Sequence, residues 1–167
     1  LSLGDIAHVI AHPGGVKVMA AYEEAFGLDA RALYLYPTKA LARDQMADLE
    51  KLITHVERGR SDGARASEQS LTVAVYDGDT PAAARRKLRD GANLLITNPD
   101  MLHTGILPHH ARWSRFFSSL RYVVVDELHA YRGIFGSHVA NVLRRLQRIC
   151  RHYGSDPVFC GASATIA

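Results

Sequence analysis

Short apolar runs bounded by turn residues alternate along the chain with longer segments of helical periodicity. This alternation predicts an α/β fold in which crossover helices connect the strands of a mainly parallel sheet. The apolar runs lack polar alternation, which is typical of strands covered on both faces. Five strands are predicted, and they span residues 31–36, 71–76, 93–97, 122–125 and 158–161.

Two segments have the periodicity of amphipathic helices. From residue 136 to residue 152, apolar residues recur at three- and four-residue spacing, which predicts a helix with one buried face. Its other face carries Arg144, Arg145, Arg148 and Arg151. That face fits a solvated surface, with contact to nucleic acid as the alternative. A second helix is predicted after Pro37, with its stripe formed by Leu41, Met46, Leu49, Leu52 and Ile53.

Composition narrows the class of protein. The chain has 167 residues, 47% of them apolar, which predicts one globular domain and excludes a disordered tail. The net charge of +3 is too small to identify a nucleic-acid binder. Cys150 and Cys160 form no CxxC pair, and no apolar run is long enough for a membrane helix. We therefore expect a cytoplasmic protein without a membrane partner. The chain begins at Leu1 rather than at a methionine, so we also expect a piece of a longer protein.

Two adjacent acids, Asp126 and Glu127, follow the apolar strand of residues 122–125. Burying such acids is costly unless they lie at the carboxyl edge of the sheet, where open parallel sheets bind ligands. There, in an open pocket, Asp126 would hold Mg²⁺ through water and Glu127 would orient or deprotonate an attacking water. Strand-end acids also cap helices, so the pair alone leaves both interpretations open.

Two further segments place helix starts directly after strands. Thr38 and Lys39 follow Pro37, and Asn98 and Pro99 follow Thr97. Free backbone N–H groups at such helix starts bind phosphate, and Lys39 adds a positive charge. Capping of a helix is the alternative for each segment alone.

The ordered set of these strings resembles superfamily 2 helicases. Residues 37–42 (PTKALA) resemble motif Ia, residues 97–99 (TNP) motif Ib, residues 126–129 (DELH) the DExH form of motif II, and residues 163–165 (SAT) motif III. Residues 76–80 (YDGDT) resemble the glycine-bearing segment that contacts the nucleic-acid backbone in this family. Residues 97–103, 105–110, 126–133 and 135–145 resemble the bacterial mitomycin-repair helicase (MrfA) group and its eukaryotic RecQ-like relatives.

This resemblance implies a RecA-like three-layer sandwich, and a 3′ to 5′ DNA translocase that uses ATP and Mg²⁺ in DNA repair. Its implied partners are DNA and a second RecA-like lobe. Its implied catalytic and metal-binding residues are Asp126 and Glu127, and its implied coupling residues are His129, Ser163 and Thr165. The implied nucleic-acid contacts are Pro37, Thr38, Lys39, Gln45, Gly78, Thr97, Asn98 and Pro99.

One expected element departs from the family pattern. A phosphate loop of the form GxxxxGK[ST] should precede motif Ia, but His12-Pro-Gly-Gly-Val-Lys-Val18 stands there instead. We therefore expect residues 1–167 to be a partial N-terminal helicase lobe with motifs Ia to III, in which residues 1–30 are atypical. Without the second lobe and its arginine fingers, we expect negligible ATPase from these residues alone.

Two alternatives for the function stay open. The chain could be a degenerate nucleic-acid-binding module without ATPase, or a motor lobe of a restriction or remodelling translocase. The nine histidines have no zinc-motif spacing. Trp113, Phe116 and Phe117 fit core positions, with base stacking as the alternative.

Overall fold

The chain is described from a computed structural model, which covers residues 8–11, 31–38, 46 and 72–163. Its centre is a β-sheet, in which every pair of neighbouring strands is parallel. The strands are β1 (His8–Ala11), β2 (Arg31–Leu35), β3 (Val73–Val75), β4 (Leu94–Thr97), β5 (Leu120–Val125) and β6 (Val158–Ser163). They lie in the order β1-β6-β5-β2-β4-β3.

The predicted number of strands is wrong, because the described residues contain six strands instead of five. The additional strand is β1, which pairs with β6 in the register His8 to Cys160 and Ala11 to Ser163. It has only four residues and lies within the region predicted to be atypical, so no local pattern distinguishes it. The other five strands are confirmed, with ends shifted by a few residues.

The helices of the described residues connect the strands. They are α1 (Ala82–Gly91), α2 (Pro99–Met101), α3 (Ser114–Ser118) and α4 (Gly133–His152). A π-helical turn, Leu102–Ile106, and a 3₁₀-helical segment, Leu107–Trp113, join α2 to α3. A further 3₁₀ turn, Leu128–Ala130, follows β5. The helix predicted after Pro37 lies outside the described residues except for Met46, which is helical.

Both faces of the sheet are buried, as the continuous apolar strands predict. One face places Leu33, Leu95 and Val123 against the described helices. The opposite face places Tyr34, Ile96 and Val124 in a second cluster, against which Met46 packs. Since neighbouring residues of a strand point to opposite faces, each central strand contributes to both clusters.

The core between the sheet and α4 confirms the predicted apolar stripe. Val139, Val142, Leu143, Leu146 and Cys150 are all buried, and Ile149 packs against them. Trp113, Phe116 and Phe117 are 2%, 1% and 0% exposed, so these aromatic rings belong to the core and are not available to stack on bases. We call these three rings and the buried residues of α4 the helical core.

Cys150 and Cys160 are both buried, and burial raises the pKa of the Cys150 thiol to about 12. The arginines of α4 lie on its outer side, where Arg144, Arg148 and Arg151 are exposed. Within the described ranges, no helix is long and apolar enough to cross a membrane.

Candidate functional site

The three central strands end together at the carboxyl edge of the sheet. Leu35 in β2 is in register with Thr97 in β4 and with Val125 in β5. The main chain continues this pairing, because Asp126 N–H donates to the Leu35 carbonyl at 3.0 Å. Asp126 and the turns at Pro37 and Pro99 therefore follow the ends of adjacent strands and lie on one rim of the sheet. We call the part of this rim formed by Tyr34, Asp126 and Glu127 the acidic edge.

Asp126 is held by two hydrogen bonds from the protein. Its Oδ1 atom accepts from the backbone N–H of Glu127 at 2.8 Å, and its Oδ2 atom accepts from the Tyr34 hydroxyl at 3.2 Å. Among the described residues, no arginine, lysine or histidine forms an ion pair with this carboxylate. The expectation of an open pocket needs correction for this residue, because Asp126 is only 5% exposed. Its orientation is thus set from inside the sheet.

Besides Tyr34, two further tyrosines, Tyr36 and Tyr131, lie near the acids of the acidic edge. The ring of Tyr34 is fully buried and stacks on Tyr36 with centroids 4.7 Å apart. Tyr131 approaches from the other side, and its buried hydroxyl has no hydrogen-bond partner among the described residues. Burial and the nearby Asp126 raise the pKa of all three phenols above the ordinary value, so these hydroxyls stay protonated.

Sequence reasoning missed Tyr34. The available signal was a tyrosine inside a strand predicted to be buried on both faces, since a buried phenol hydroxyl usually needs a hydrogen-bond partner. That signal indicates a partner but does not identify it. Only the pairing of β2 with β5 brings Asp126 within reach.

Glu127 adopts a backbone conformation that is unusual for its residue type. Its φ of 53° and ψ of 48° are left-handed, and it is the one non-glycine residue with positive φ among those described. Its carbonyl accepts from the Ala130 N–H at 2.8 Å, which closes the 3₁₀ turn after β5. Left-handed backbone is costly for a side chain with a Cβ, and such strain clusters at functional sites.

The side chain of Glu127 is one-quarter exposed, and its Oε2 atom is buried without a hydrogen bond among the described residues. The Nδ1 atom of His129 lies 3.1 Å from this oxygen. The same nitrogen has hydrogen-bond geometry toward Ser163 Oγ at 3.3 Å. A buried carboxylate oxygen without a hydrogen bond is an acceptor that a water or a ligand could use.

The predicted coupling residues are partly brought together. Ser163 ends β6, and its contact with His129 connects the turn after β5 to the neighbouring strand. Leu128 supports this arrangement by packing over Gly161, where any Cβ would collide with the leucine side chain. The third predicted coupling residue, Thr165, lies outside the described residues.

The segment after β4 has the geometry of a helix cap. Thr97 donates to the Tyr76 carbonyl at 2.6 Å, and Asn98 Oδ1 accepts from the Met101 N–H at 2.8 Å. Pro99 occupies the start of α2. Thr97, Asn98 and Pro99 are all buried, so their side chains shape the turn instead of facing the solvent.

The other predicted nucleic-acid contacts lie at exposed turns or outside the described residues. Thr38 is exposed at the bend after β2, and Pro37 is half-buried beside it. Gly78 is exposed in the turn after β3, where Arg85 Nη2 donates to its carbonyl at 3.4 Å. Lys39 and Gln45 lie outside the described residues.

The acidic edge has the donor atoms that Mg²⁺ prefers, which are carboxylate oxygens. Each oxygen of Asp126 already accepts one hydrogen bond, which suits a contact to the metal through its bound water. Within the described ranges, no three His, Cys, Asp or Glu side chains converge to hold a metal on their own. Phosphate oxygens and water would have to complete the coordination, which agrees with a site for a nucleotide with its metal. Residues 12–18, where a phosphate loop is expected, lie outside the described part.

Similar proteins point to one family. The chain is 58% identical over 137 residues to the ATP-dependent helicase YprA of Bacillus subtilis, and this match covers 82% of the chain and 17% of YprA. It is 43% identical over 136 residues to the ATP-dependent helicase HRQ1 of Saccharomyces cerevisiae, covering 80% of the chain and 12% of HRQ1. The chain thus spans less than a fifth of the length of these relatives.

The fold agrees with these sequence matches. The crystal structure of the DUF1998 helicase MrfA bound to DNA and AMPPNP superimposes with a TM-score of 0.81 at 48% identity, covering 97% of this chain and 22% of that protein chain. The architecture is that of the RecA-like helicase domains, as the sequence predicted. The family profile described as DEAD/DEAH box helicase matches residues 16–167. The chain therefore belongs to the DEAD/DEAH box helicase family.

Proposed function

We propose that this chain is the first motor lobe of an ATP-dependent DNA helicase or translocase that moves 3′ to 5′ in DNA repair. The observation that carries the proposal is the acidic edge, where the buried Asp126 and the strained Glu127 lie together at the carboxyl edge of a parallel sheet. Relatives named ATP-dependent helicases, and a DNA-bound MrfA structure, support it.

Asp126 would hold the hydrated metal of Mg·ATP. The Tyr34 hydroxyl and the Glu127 N–H fix the carboxylate before any ligand arrives, so little orientational freedom is lost on binding. The bound Mg·ATP would supply the metal charge and the phosphoryl group to be transferred. With no cation paired to Asp126 among the described residues, the negative charge is available to a metal.

Glu127 would orient the attacking water and accept its proton. Its backbone is left-handed, and its buried Oε2 lies 3.1 Å from His129 Nδ1 but accepts no hydrogen bond within the described residues. Such an oxygen is ready to accept from water, and a positioned base contributes about 10² to 10⁴ in rate.

His129 and Ser163 would couple the nucleotide site to the neighbouring strand, together with Thr165. His129 Nδ1 lies within 3.3 Å of both Glu127 Oε2 and Ser163 Oγ, so a small ring rotation could change its partner. A change at Glu127 would then reach the end of β6. Two alternative hydrogen-bond arrangements of this kind can serve a two-state motor.

Nucleic acid would lie across the same rim. Thr38 and Gly78 are exposed and can contact a strand directly, and Pro37, Lys39 and Gln45 belong to the same proposed contact segment. Thr97, Asn98 and Pro99 are buried, so they would act by shaping the turn that meets the phosphates.

The test is Glu127→Gln in the full-length protein. We expect DNA-stimulated ATP hydrolysis to fall about 10² to 10⁴-fold, because the amide cannot accept the proton, while Mg·ATP affinity changes little. Turnover is measured with and without DNA, and affinity is measured by calorimetry. Asp156→Asn is the control, since it also replaces a carboxylate with an amide, but at an exposed position. Hydrolysis by the Glu127→Gln variant at the parental rate would contradict the proposal.

A second candidate is a nucleic-acid-binding module without ATPase. It is favoured by the sequence of residues 12–18, which does not match the GxxxxGK[ST] pattern. Mg·ATP binding by the parent protein separates the two candidates, because the second predicts none. Strand displacement on forks with opposite tails then tests the direction of movement and separates a helicase from a translocase of the restriction or remodelling type.

A further inference from the structure

A basic pocket lies between the carboxyl-terminal half of α4 and the turns Leu107–Trp113. It has a volume of about 380 Å³. We call it the basic pocket, and the residues that line it are His110, Arg145, Arg148, Ile149 and His152. Among the described residues no carboxylate lines it, and its two arginines carry positive charge.

Among the described residues, no carboxylate forms an ion pair with either arginine of the basic pocket. The ion pairs of the described residues lie elsewhere, in the Arg86–Arg89–Asp90 group, the His129–Glu127 pair and the Arg151–Asp156 pair. Arg145 and Arg148 take part in none of them. They follow each other by one helical turn, so both guanidinium groups extend from the same side of α4. Their positive charge is therefore available to an anionic ligand.

The histidine side of the pocket is held in place by the helical core. His110 Nδ1 forms a hydrogen bond with the Tyr153 hydroxyl at 2.8 Å. The ring of Tyr153 stacks on Phe117 at an angle of 11°, and Phe117 is fully buried. The orientation of His110 is thus determined by packing, and its second ring nitrogen remains for a ligand.

We propose that the basic pocket binds a backbone phosphate of a nucleic-acid strand. Arginine matches phosphate because its planar fork can donate two parallel hydrogen bonds. Two arginines and two imidazoles around one cavity can satisfy several oxygens of a single phosphate group. Ile149 adds an apolar wall against which the adjoining sugar can pack.

The basic pocket is separate from the acidic edge. Helix α4 begins next to that edge at Gly133 and has 20 residues, and Arg148 lies in its last quarter. At about 1.5 Å of rise per residue, Arg148 lies roughly 22 Å along the helix from Gly133. A phosphate group in the basic pocket therefore does not reach Asp126.

Nucleic acid fits the pocket better than an acidic polypeptide does. A cavity of this size accepts a phosphate with its sugar, and its polar lining consists of hydrogen-bond donors suited to tetrahedral oxygens. An extended peptide also needs acceptors for its backbone N–H groups, and guanidinium groups supply none. The inference rests on the proposed function in one respect, which is that a nucleic-acid strand reaches this chain.

The experiment compares two double variants of the full-length protein. Arg145→Ala with Arg148→Ala removes the pocket arginines, and Arg144→Ala with Arg151→Ala removes the same charge from the same helix outside the pocket. Binding of a fluorescent single-stranded oligonucleotide is measured by anisotropy over a range of salt. We expect the pocket variant to bind about tenfold more weakly, with a salt slope smaller by about 0.7 per lost phosphate contact. The control should stay within about twofold of the parent.

Equal binding by the pocket variant and the control would overturn the inference while leaving the proposed function intact. Absence of any nucleic-acid binding by the parent would overturn both. The ATP hydrolysis measured without DNA should be unchanged in the pocket variant, which separates this result from a failure at Glu127. Binding of polyglutamate that is lost in the pocket variant, with oligonucleotide binding unchanged in that variant, would indicate an acidic polypeptide as the ligand and overturn the inference.

Two single variants test whether unfolding or the loss of general charge explains a loss of binding. Arg148→Ala alone changes an exposed residue and should show part of the loss at an unchanged melting temperature. Arg148→Lys keeps the charge but lacks the planar fork, so it should restore binding only in part. Full recovery with lysine would show that general charge is sufficient and would overturn the pocket geometry proposed above.

Discussion

The acidic edge and the helical core differ in how favourable the environment of their buried residues is. In the helical core, Trp113, Phe116 and Phe117 are at most 2% exposed and pack edge to face with one another. At the acidic edge, Asp126 is buried as a carboxylate, and Glu127 has left-handed backbone. The helical core packs its rings closely, whereas the acidic edge keeps a buried acid and strained backbone, which both cost free energy.

This difference indicates which region stabilises the chain and which is arranged for chemistry. Burial of large apolar rings contributes several kcal/mol, whereas strained backbone and buried acceptors without hydrogen bonds each cost roughly 1–3 kcal/mol. Costly features persist only where surrounding structure holds them and where they serve a function. Substitutions in the two regions should therefore separate stability from activity.

The largest effect is expected for Trp113→Ala in the helical core. Removing this 2% exposed ring leaves a cavity and should destabilise the domain by about 3–5 kcal/mol. Urea unfolding followed by circular dichroism measures the loss. Phe135→Ala is the control, because Phe135 is an aromatic residue that is 39% exposed. Similar losses for both variants would mean that the helical core is not the stabilising region.

An intermediate effect is expected for Tyr34→Phe at the acidic edge. The change removes the hydrogen-bond donor to Asp126 Oδ2 but keeps the ring. The orientation of the carboxylate that binds the metal should therefore be less stable by about 1 kcal/mol. The Mg²⁺ concentration for half-maximal ATP hydrolysis should rise about fivefold, with little change of kcat at saturating metal. Mn²⁺ binding by electron paramagnetic resonance gives a readout independent of turnover.

The control for that comparison is Tyr76→Phe, which removes a phenol hydroxyl from the end of β3, two strands away from β2. It should leave the metal dependence unchanged. A loss of kcat without a change in metal dependence for Tyr34→Phe would contradict a positioning role for its hydroxyl.

The smallest change in stability, and one opposite in sign to that of Trp113→Ala, is expected for Glu127→Gly. Glycine adopts a φ of 53° without a Cβ penalty, so the domain should become more stable by about 0.5–1 kcal/mol. ATP hydrolysis should nevertheless be lost together with the carboxylate. The melting temperature and the turnover number, measured on the same preparation, check both statements. A melting temperature below that of the parent would show that Glu127 contributes contacts that outweigh its strain.

Much of the fold and part of the site could be predicted from the sequence. Continuous apolar runs identified five strands, and the periodicity of α4 identified its buried stripe, because both patterns are local. Asp126 and Glu127 stood out because acids directly after an apolar strand need a special location. The strand β1 could not be predicted, because four residues next to an atypical segment become a strand only by pairing with β6.

Chain order and apolar periodicity were thus sufficient to determine a parallel α/β sheet whose acidic pair lies on a shared rim with two turns. The tertiary structure decided the rest, because it depends on groups that are distant in sequence. It brought the Tyr34 hydroxyl to Asp126, buried Thr97 and Asn98 in a cap, and gathered His110 with two arginines of α4 around one pocket. Hydrogen bonds and charge clusters of this kind follow from strand register and helix packing, which no local pattern encodes.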